Sequence, residues 1–328
     1  MLQQTQVKTV IPYWNRWMRE LPDVAALASA PEQRLLKLWE GLGYYTRVRN
    51  LQKAAQHIVT AHKGQFPRES AAALDLPGVG RYTAGAVASI AFNQPAPILD
   101  GNVIRVLTRL FAISEDPREK AVREELWQLA SRLVEAAASC KNPPSRTTPL
   151  VLSGSCSALN QSLMELGATL CTPQRPQCPQ CPVRACCTAH RTGRAHELPN
   201  LAPRAATTRR EFHAFVIEHS GRYLAAARPA GMVNAGLWEF PSIEVTGDAS
   251  PPPSASLRRL ISIVPARDCE PLGEVRHSIT RYRITQRVFR VALPRRPDIS
   301  SPWKWFLPAE LARLPFTSAH KRILARCM

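Results

Sequence analysis

Five of the nine cysteines fall within seventeen positions, Cys171 to Cys187. In that stretch Cys171-x6-Cys178-x2-Cys181-x5-Cys187 puts four thiolates in one short loop, with Cys186 as an adjacent spare, and four such thiolates can close around one inorganic centre. Zinc is the ordinary alternative, but zinc folds usually set one close couple of ligands against another couple farther along the chain. A single CxxC flanked by wider gaps suits a 4Fe–4S cluster, and the spacing favours Cys187 over Cys186 as fourth ligand. Cys140, Cys156, Cys269 and Cys327 are scattered and read as ordinary small residues.

A second pattern is Leu76-Pro77-Gly78-Val79-Gly80, running into Arg81-Tyr82-Thr83-Ala84-Gly85-Ala86. Glycines two apart just before a helix let backbone N–H groups approach an anion, and the helix N-terminus adds positive potential. Gly78 and Gly80 could therefore grip a DNA phosphate without reading sequence. An ordinary corner between two helices is the plainer reading of the same residues.

Eighteen positions after Tyr82, Asp100 opens a helix whose apolar positions are Val103, Val106, Leu107 and Leu110. A carboxylate there is favoured in its ionised form by the helix dipole and by backbone donors. The plain reading is an N-cap. The chemical one is an anion set against a developing cation, because breaking a nucleoside C–N bond builds oxocarbenium character on the sugar. Polar Gln3, Gln4, Thr5 and Gln6 suit base edges, and Tyr44-Tyr45 after Gly41-Leu42-Gly43 could wedge between bases. Taken singly, each of these is more often a solvated loop or a half-buried aromatic.

The rest of the chain must position these groups. Its 328 residues suggest two domains, and 45% apolar content excludes both a disordered chain and a disulfide-dependent mini-protein. The net charge of +18 points to a polyanion, nucleic acid first, although an Arg-rich base composition would also raise it. No apolar run is long enough to span a bilayer, and the first residues lack a signal-peptide pattern. The expectation is a cytoplasmic, nucleoid-associated chain with reduced thiols, monomeric and free of the membrane.

Up to about residue 190 the periodicity is helical: Val7 to Met18, interrupted by Pro12; Val48 to His62, stopped by Lys63-Gly64; Leu126 to Val134; and Leu159 to Leu170, leading into the cysteines. Residues 139–157 read as an inserted loop, 191–210 as a basic linker, and Pro251–Pro253 as an internal loop. Beyond Glu211 the texture turns to strands at Phe212–Ile217, Tyr223–Ala227 and Tyr282–Val291, with a terminal helix over Ala309–Leu314 and Ala319–Arg326. The fold class is thus multidomain, an all-α domain over 1–190 followed by an α+β domain over 211–328.

The stretches MLQQTQV, GLGYYTRVRNL, LPGVGRYTAGA, ILDGNVIRVL, CTPQRPQCPQCPVRACC, GLWEFP and RHSITRYRI together resemble the adenine DNA glycosylase (MutY) family of the helix-hairpin-helix glycosylase superfamily. The resemblance implies a glycosylase domain with an iron–sulfur cluster loop and a Nudix-like domain that reads 8-oxoguanine. It implies double-stranded DNA with A:8-oxoguanine or A:G mispairs as partner, and hydrolysis of the adenine N-glycosidic bond. Asp100 would be the catalytic carboxylate, with Tyr82 supporting it. Gln4 and Tyr44 would pry into the stack, with Gln3, Thr5 and Leu42 beside them. Gln161 would sit near the adenine pocket, Ser278 and Thr280 on the 8-oxoguanine side, and the four cysteines would hold the cluster.

Two departures carry expectations. The family's general acid would lie two residues ahead of Met1, so the chain as written is expected to bind lesion DNA better than it cleaves. The 139–157 insertion could disturb how Gln161 is presented. Among rivals, an endonuclease III-like glycosylase/lyase needs an amine where Tyr82 stands, and no lysine occurs between Lys63 and Lys120. A Nudix pyrophosphatase needs paired glutamates after Gly236–Pro241, where the chain reads SIEVTGDASPPPSASLRRL. A non-catalytic mispair-binding protein is the third alternative.

Overall fold

The computed structural model describes residues 1–2, 5–140, 154–203, 206–245, 251–260, 269–297 and 302–327. The expected insertion therefore lies mostly outside the described residues, as do Gln3 and Gln4. Two compact units emerge, and they do not follow chain order: His57–Arg204 forms one, while Met1–Gln56 and Ala205–Met328 form the other. Among the described residues no helix is long and apolar enough to cross a membrane.

The helices are α1 (Val7–Glu20), α2 (Val24–Ser29), α3 (Glu32–Leu38), α4 (Thr46–Ala61), α5 (Ser70–Leu74), α6 (Arg81–Phe92), α7 (Gly101–Phe111), α8 (Lys120–Ala138), α9 (Ser155–Thr169), α10 (Thr188–Arg191), α11 (Pro253–Leu260), α12 (Pro308–Arg313) and α13 (Ser318–Cys327). The strands are β1 (Thr208–His219), β2 (Arg222–Ala227), β3 (Trp238–Glu239), β4 (Ser242–Val245), β5 (Glu270–Ile279), β6 (Tyr282–Ala292) and β7 (Lys304–Phe306).

In the His57–Arg204 unit, α7 is the central element. Its positions Val103, Val106 and Leu107 are buried with Leu126 and Trp127 of α8 and Leu163 of α9. Two glycines permit this closeness: a Cβ on Gly85 would collide with the Pro97 carbonyl, and one on Gly167 would lie 2.7 Å from Asn102 Cβ. Helix α9 begins at Ser155 with Cys156 and Ser157 buried, so the last residues assigned to a loop are helical. Asn93 explains the early start, its side-chain oxygen accepting the Cys156 and Ser157 N–H groups at 3.1 and 3.2 Å.

In the other unit, Pro12 does not interrupt α1, which runs through it from Val7 to Glu20. Its missing N–H removes one bond, and packing outweighs that loss: Trp17 meets Trp39 edge-on at 5.7 Å within a cluster that includes Leu35, Leu36, Tyr45, Val48 and Leu237. The seven-stranded sheet has the order β3-β2-β1-β6-β5, with β4 beside β1 and β7 beside β2. Strand β1 is parallel to β6 and buried without alternation across its middle, because both sheet faces are covered. Ala214 and Val216 face α12 and α13 through Leu311 and Ile323, while Phe215 and Ile217 pack with Leu257 of α11. Pro253 opens that helix rather than a loop, as proline can at a first turn. Strand β1 likewise starts at Thr208 and takes in the last three residues of the span assigned to a linker.

Candidate functional site

Asp100 is the N-cap of α7, in extended backbone, and one carboxylate oxygen accepts the N–H groups of Asn102 and Val103 at 2.9 and 2.8 Å. The second oxygen accepts the Asn102 amide at 3.2 Å. The group is half-buried and held by neutral donors, and among the described residues no ammonium or guanidinium is hydrogen-bonded to it. Such a carboxylate keeps its charge available for a cation arriving from outside.

Behind it lies a relay that sequence reasoning missed. Asn102 Oδ1 accepts from Arg105 at 2.8 Å, and the Arg105 guanidinium also donates to the carbonyls of Gly167 and Cys171 at 2.6 and 2.7 Å. Desolvation pulls the Arg105 pKa down, with the nearby Arg109 charge acting the same way. The signal was present as Asn and Arg at the second and fifth places after Asp100, but the Gly167 and Cys171 carbonyls that Arg105 meets lie more than sixty residues away. Tyr82, on α6, meets Met164 Sδ at 3.5 Å. Burial raises its pKa, and the charge of Asp100 adds to the rise, so it is a neutral phenol at pH 7.

The hairpin ahead of α6 is built as the glycine spacing suggests. Gly78 is left-handed at φ +78°, and Val79 N–H closes the turn on Leu76 O at 3.0 Å. Gly80 is an exposed N-cap at φ −93°, and a Cβ there would meet nothing within 4 Å. Neither backbone nor packing demands glycine at that place, whereas close approach of an external anion would. Gln161 is exposed on α9 and folds back onto Ser157 Oγ at 3.0 Å. Its neighbour Asn160 is the buried amide, donating to Ser89 Oγ and Ala96 O at 2.8 and 2.9 Å.

Cys171, Cys178, Cys181 and Cys187 line one small cavity of about 20 Å³, together with Arg109 and His190. Cys186 is exposed and does not reach it. Among the described residues no three His, Cys, Asp or Glu side chains converge on a single-ion site. Arg109 is fully buried, and its guanidinium donates to Leu198 O at 2.8 Å, Thr172 O at 2.8 Å, Pro173 O at 3.1 Å and Cys171 Sγ at 3.3 Å, with no carboxylate among its acceptors. A buried cation without a carboxylate, beside four thiols, is a setting that an anionic thiolate centre would balance.

The remaining candidates belong to the other unit. Thr5 is half-buried near the chain start. Leu42 corrects the expectation of a DNA-facing pair: it is 7% exposed and packed in the helical core, because Gly41 and Gly43 turn the loop inward there. Tyr45 is buried as well, its hydroxyl accepting Gly41 N–H at 3.2 Å. Tyr44 alone presents its ring, 57% exposed, from a backbone at φ +47°. Ser278 is exposed on β5, the sheet's edge strand, paired opposite Arg283. Thr280 is exposed in the turn between β5 and β6 at φ +51°, an uncommon region for a β-branched residue. Two of the candidate base-contacting residues thus sit in left-handed conformations that cost free energy, a pattern that collects at functional sites.

Two family models match the chain in sequence order, and the first of them crosses from one compact unit into the other. Residues 1–132 match the family model described as HhH-GPD superfamily base excision DNA repair protein, and residues 213–326 match that of the NUDIX domain. The adenine DNA glycosylase of Mus musculus is 37% identical over 98% of this chain and 69% of its own length. That of Homo sapiens is 35% identical, over 98% of this chain and 66% of its own. A solved thermostable thymine-DNA glycosylase is 27% identical and covers 58% of this chain and 80% of its own, with a TM-score of 0.48. The chain is a base-excision-repair DNA glycosylase, and it belongs to the adenine DNA glycosylase family.

Proposed function

We propose that this glycosylase hydrolyses the N-glycosidic bond of adenine opposite 8-oxoguanine or guanine in duplex DNA. The observation that carries the reading is Asp100, a carboxylate fixed by two backbone N–H groups at a helix N-terminus and hydrogen-bonded to no cation among the described residues. As the C–N bond breaks, the electron pair leaves with adenine and positive charge grows on the deoxyribose; the proton that adenine takes up is balanced by the one lost from the water that adds to the sugar. Asp100 stabilises that cation until water adds to the sugar carbon. Tyr82 supplies a neutral hydroxyl beside it and no amine, which supports a monofunctional glycosylase rather than a lyase. Gly78 and Gly80 leave room for a phosphate at the start of α6, and the exposed Tyr44, Ser278 and Thr280 meet the bases of the damaged site, Thr280 on the 8-oxoguanine. Gln3, Gln4, Thr5 and Gln161 assist in holding the opened duplex and the adenine. Residues 1–190 are the glycosylase domain and 211–328 the lesion-reading module.

Cys171, Cys178, Cys181 and Cys187 would hold a 4Fe–4S cluster, supported by their shared cavity and by Arg109. When bound, the cluster supplies an anionic, reducible centre that ties the cysteine loop to α7. The enzyme acts as a monomer on nucleoid DNA in the cytoplasm. Adenine release from A:8-oxoguanine, A:G and A:T duplexes, followed by borohydride trapping, tests the reading. Release from the first two without a covalent adduct is expected, and a trapped enzyme–DNA adduct would contradict it.

A further inference from the structure

We propose that Glu40 is a positioning residue that fastens the lesion-reading module to the loop carrying Tyr44, and that it thereby sets the preference for 8-oxoguanine over guanine opposite adenine. The inference rests on the proposed substrate. Glu40 is only 5% exposed, and all of its carboxylate partners but one come from the far end of the chain. One oxygen accepts the Phe316 N–H at 2.8 Å, and the other accepts Lys321 Nζ at 2.6 Å, with Lys37 Nζ at 3.2 Å. Lys37 in turn donates to the Leu314 carbonyl at 2.8 Å. Breaking such a set leaves a buried amide and two ammonium groups without their acceptor.

The position of Glu40 in the chain gives this fastening a consequence. It directly precedes Gly41-Leu42-Gly43-Tyr44, and its own carbonyl accepts the Tyr13 hydroxyl at 3.0 Å. Tyr13 also fills the space a Cβ on Gly41 would need, while Trp39 Nε1 donates to Gly43 O at 3.0 Å. Tyr45, next to Tyr44, is buried, and its hydroxyl accepts the Gly41 N–H at 3.2 Å. On the module side, Phe316, Ser318 and Lys321 surround the start of α13. That helix is tied to β5 by Arg322 donating to Arg276 O and Arg326 donating to Glu274 O, each at 3.0 Å. Strand β5 ends at Ile279, one residue before Thr280. A contiguous set of packed elements therefore joins Tyr44 to Thr280, with Glu40 at its centre. Arg49 donating to Ala235 O and Gln33 donating to Gly236 O at 3.4 Å add further contacts at the same seam. Neither Glu40 nor its partners Lys37, Phe316 and Lys321 touch DNA in this reading, so Glu40 acts through the residues it places.

The test uses the full chain and two duplexes that carry 2′-fluoro-adenosine, which resists hydrolysis, opposite 8-oxoguanine or guanine. The measured quantity is the ratio of the two dissociation constants. Glu40→Ala should lower that ratio by about tenfold, within the span of couplings between distinct sites. Affinity for undamaged duplex, which comes from phosphate contacts, should stay within about twofold. Glu40→Asp should recover most of the preference. Because Glu40 works by placing Thr280, adding Glu40→Ala to Thr280→Ala should lower the ratio no further than Thr280→Ala alone. A natively melting Glu40→Ala protein with the wild-type ratio overturns the proposal, and so does full additivity with Thr280→Ala. If Glu40→Ala fails to fold, Lys321→Ala removes the fastening from the module side: a lowered ratio supports the proposal and an unchanged one overturns it. A wild-type chain that binds both duplexes equally contradicts the substrate reading itself, a failure visible before any variant is made.

Discussion

Asp100 and Glu40 are both carboxylates drawn below the surface, and their partners differ in kind. Asp100 is met by two backbone N–H groups and one side-chain amide, while Glu40 is met by one backbone N–H group and two lysines. Neutral donors hold the first in place, and among the described residues no cation is hydrogen-bonded to it, which suits the proposed role opposite a developing sugar cation. Ammonium groups neutralise the second, which leaves it suited to fastening and of little use to a substrate. The functional group is the same in both places, so the surroundings decide between chemistry and architecture.

The comparison extends outward, and the largest expected effect concerns the supports of Asp100. Cys187→Ser should cost more than about 4 kcal/mol of stability, as loss of a metal site does, while Cys186→Ser should stay within about 0.5 kcal/mol. Thermal unfolding with iron quantification checks the pair, and equal effects would remove Cys187 from the cavity's ligand set. Next is Arg105→Gln, which strips Asn102 and two carbonyls of one shared donor. Single-turnover adenine release should fall by about 10- to 100-fold, the usual cost of removing a supporting shell, with duplex affinity nearly unchanged.

Two smaller effects concern the module. Burial, reinforced by the charges of Arg228 and His277, holds the His320 pKa down at about 3 against an ordinary 6.5. Its folded-state pKa is lowered, so the neutral ring's stabilising contribution is complete above pH 6.5 and is lost as pH falls towards 3. Melting temperature measured between pH 7.5 and 4 should drop, and His320→Gln should flatten the curve. Thr280→Gly should relieve a left-handed β-branched residue and raise stability by about 1 kcal/mol. It should also weaken 8-oxoguanine preference, because the hydroxyl is lost. A variant that gains stability and keeps its preference would take Thr280 out of recognition.

What was legible in the sequence follows the range of the interactions involved. The Asp100 N-cap and the Gly78 turn are made with backbone groups within three residues, so this local geometry could be read from the sequence. Spacing favoured Cys187 over Cys186, and Cys187 lines the cavity while Cys186 is exposed outside it. Arg105 and Glu40 were missed because the partners that make each a connector lie 62 to 281 positions away, and nothing in the local pattern points to them. Leu42 and Tyr45 were misread beside Tyr44 because one loop turns two side chains inward and the third outward, which depends on the left-handed Gly41 and Gly43. Helix α1 ran past Pro12 because burial of Trp17 outweighs one lost backbone bond.

The measurement closest to the centre of the account is single-turnover release of adenine from an A:8-oxoguanine duplex by Asp100→Asn. Asparagine caps a helix as well as aspartate does, so the fold is retained and only the charge is removed. The account expects release to slow by at least about 10³-fold with tight duplex binding preserved. Release within a few-fold of the wild-type rate would contradict it.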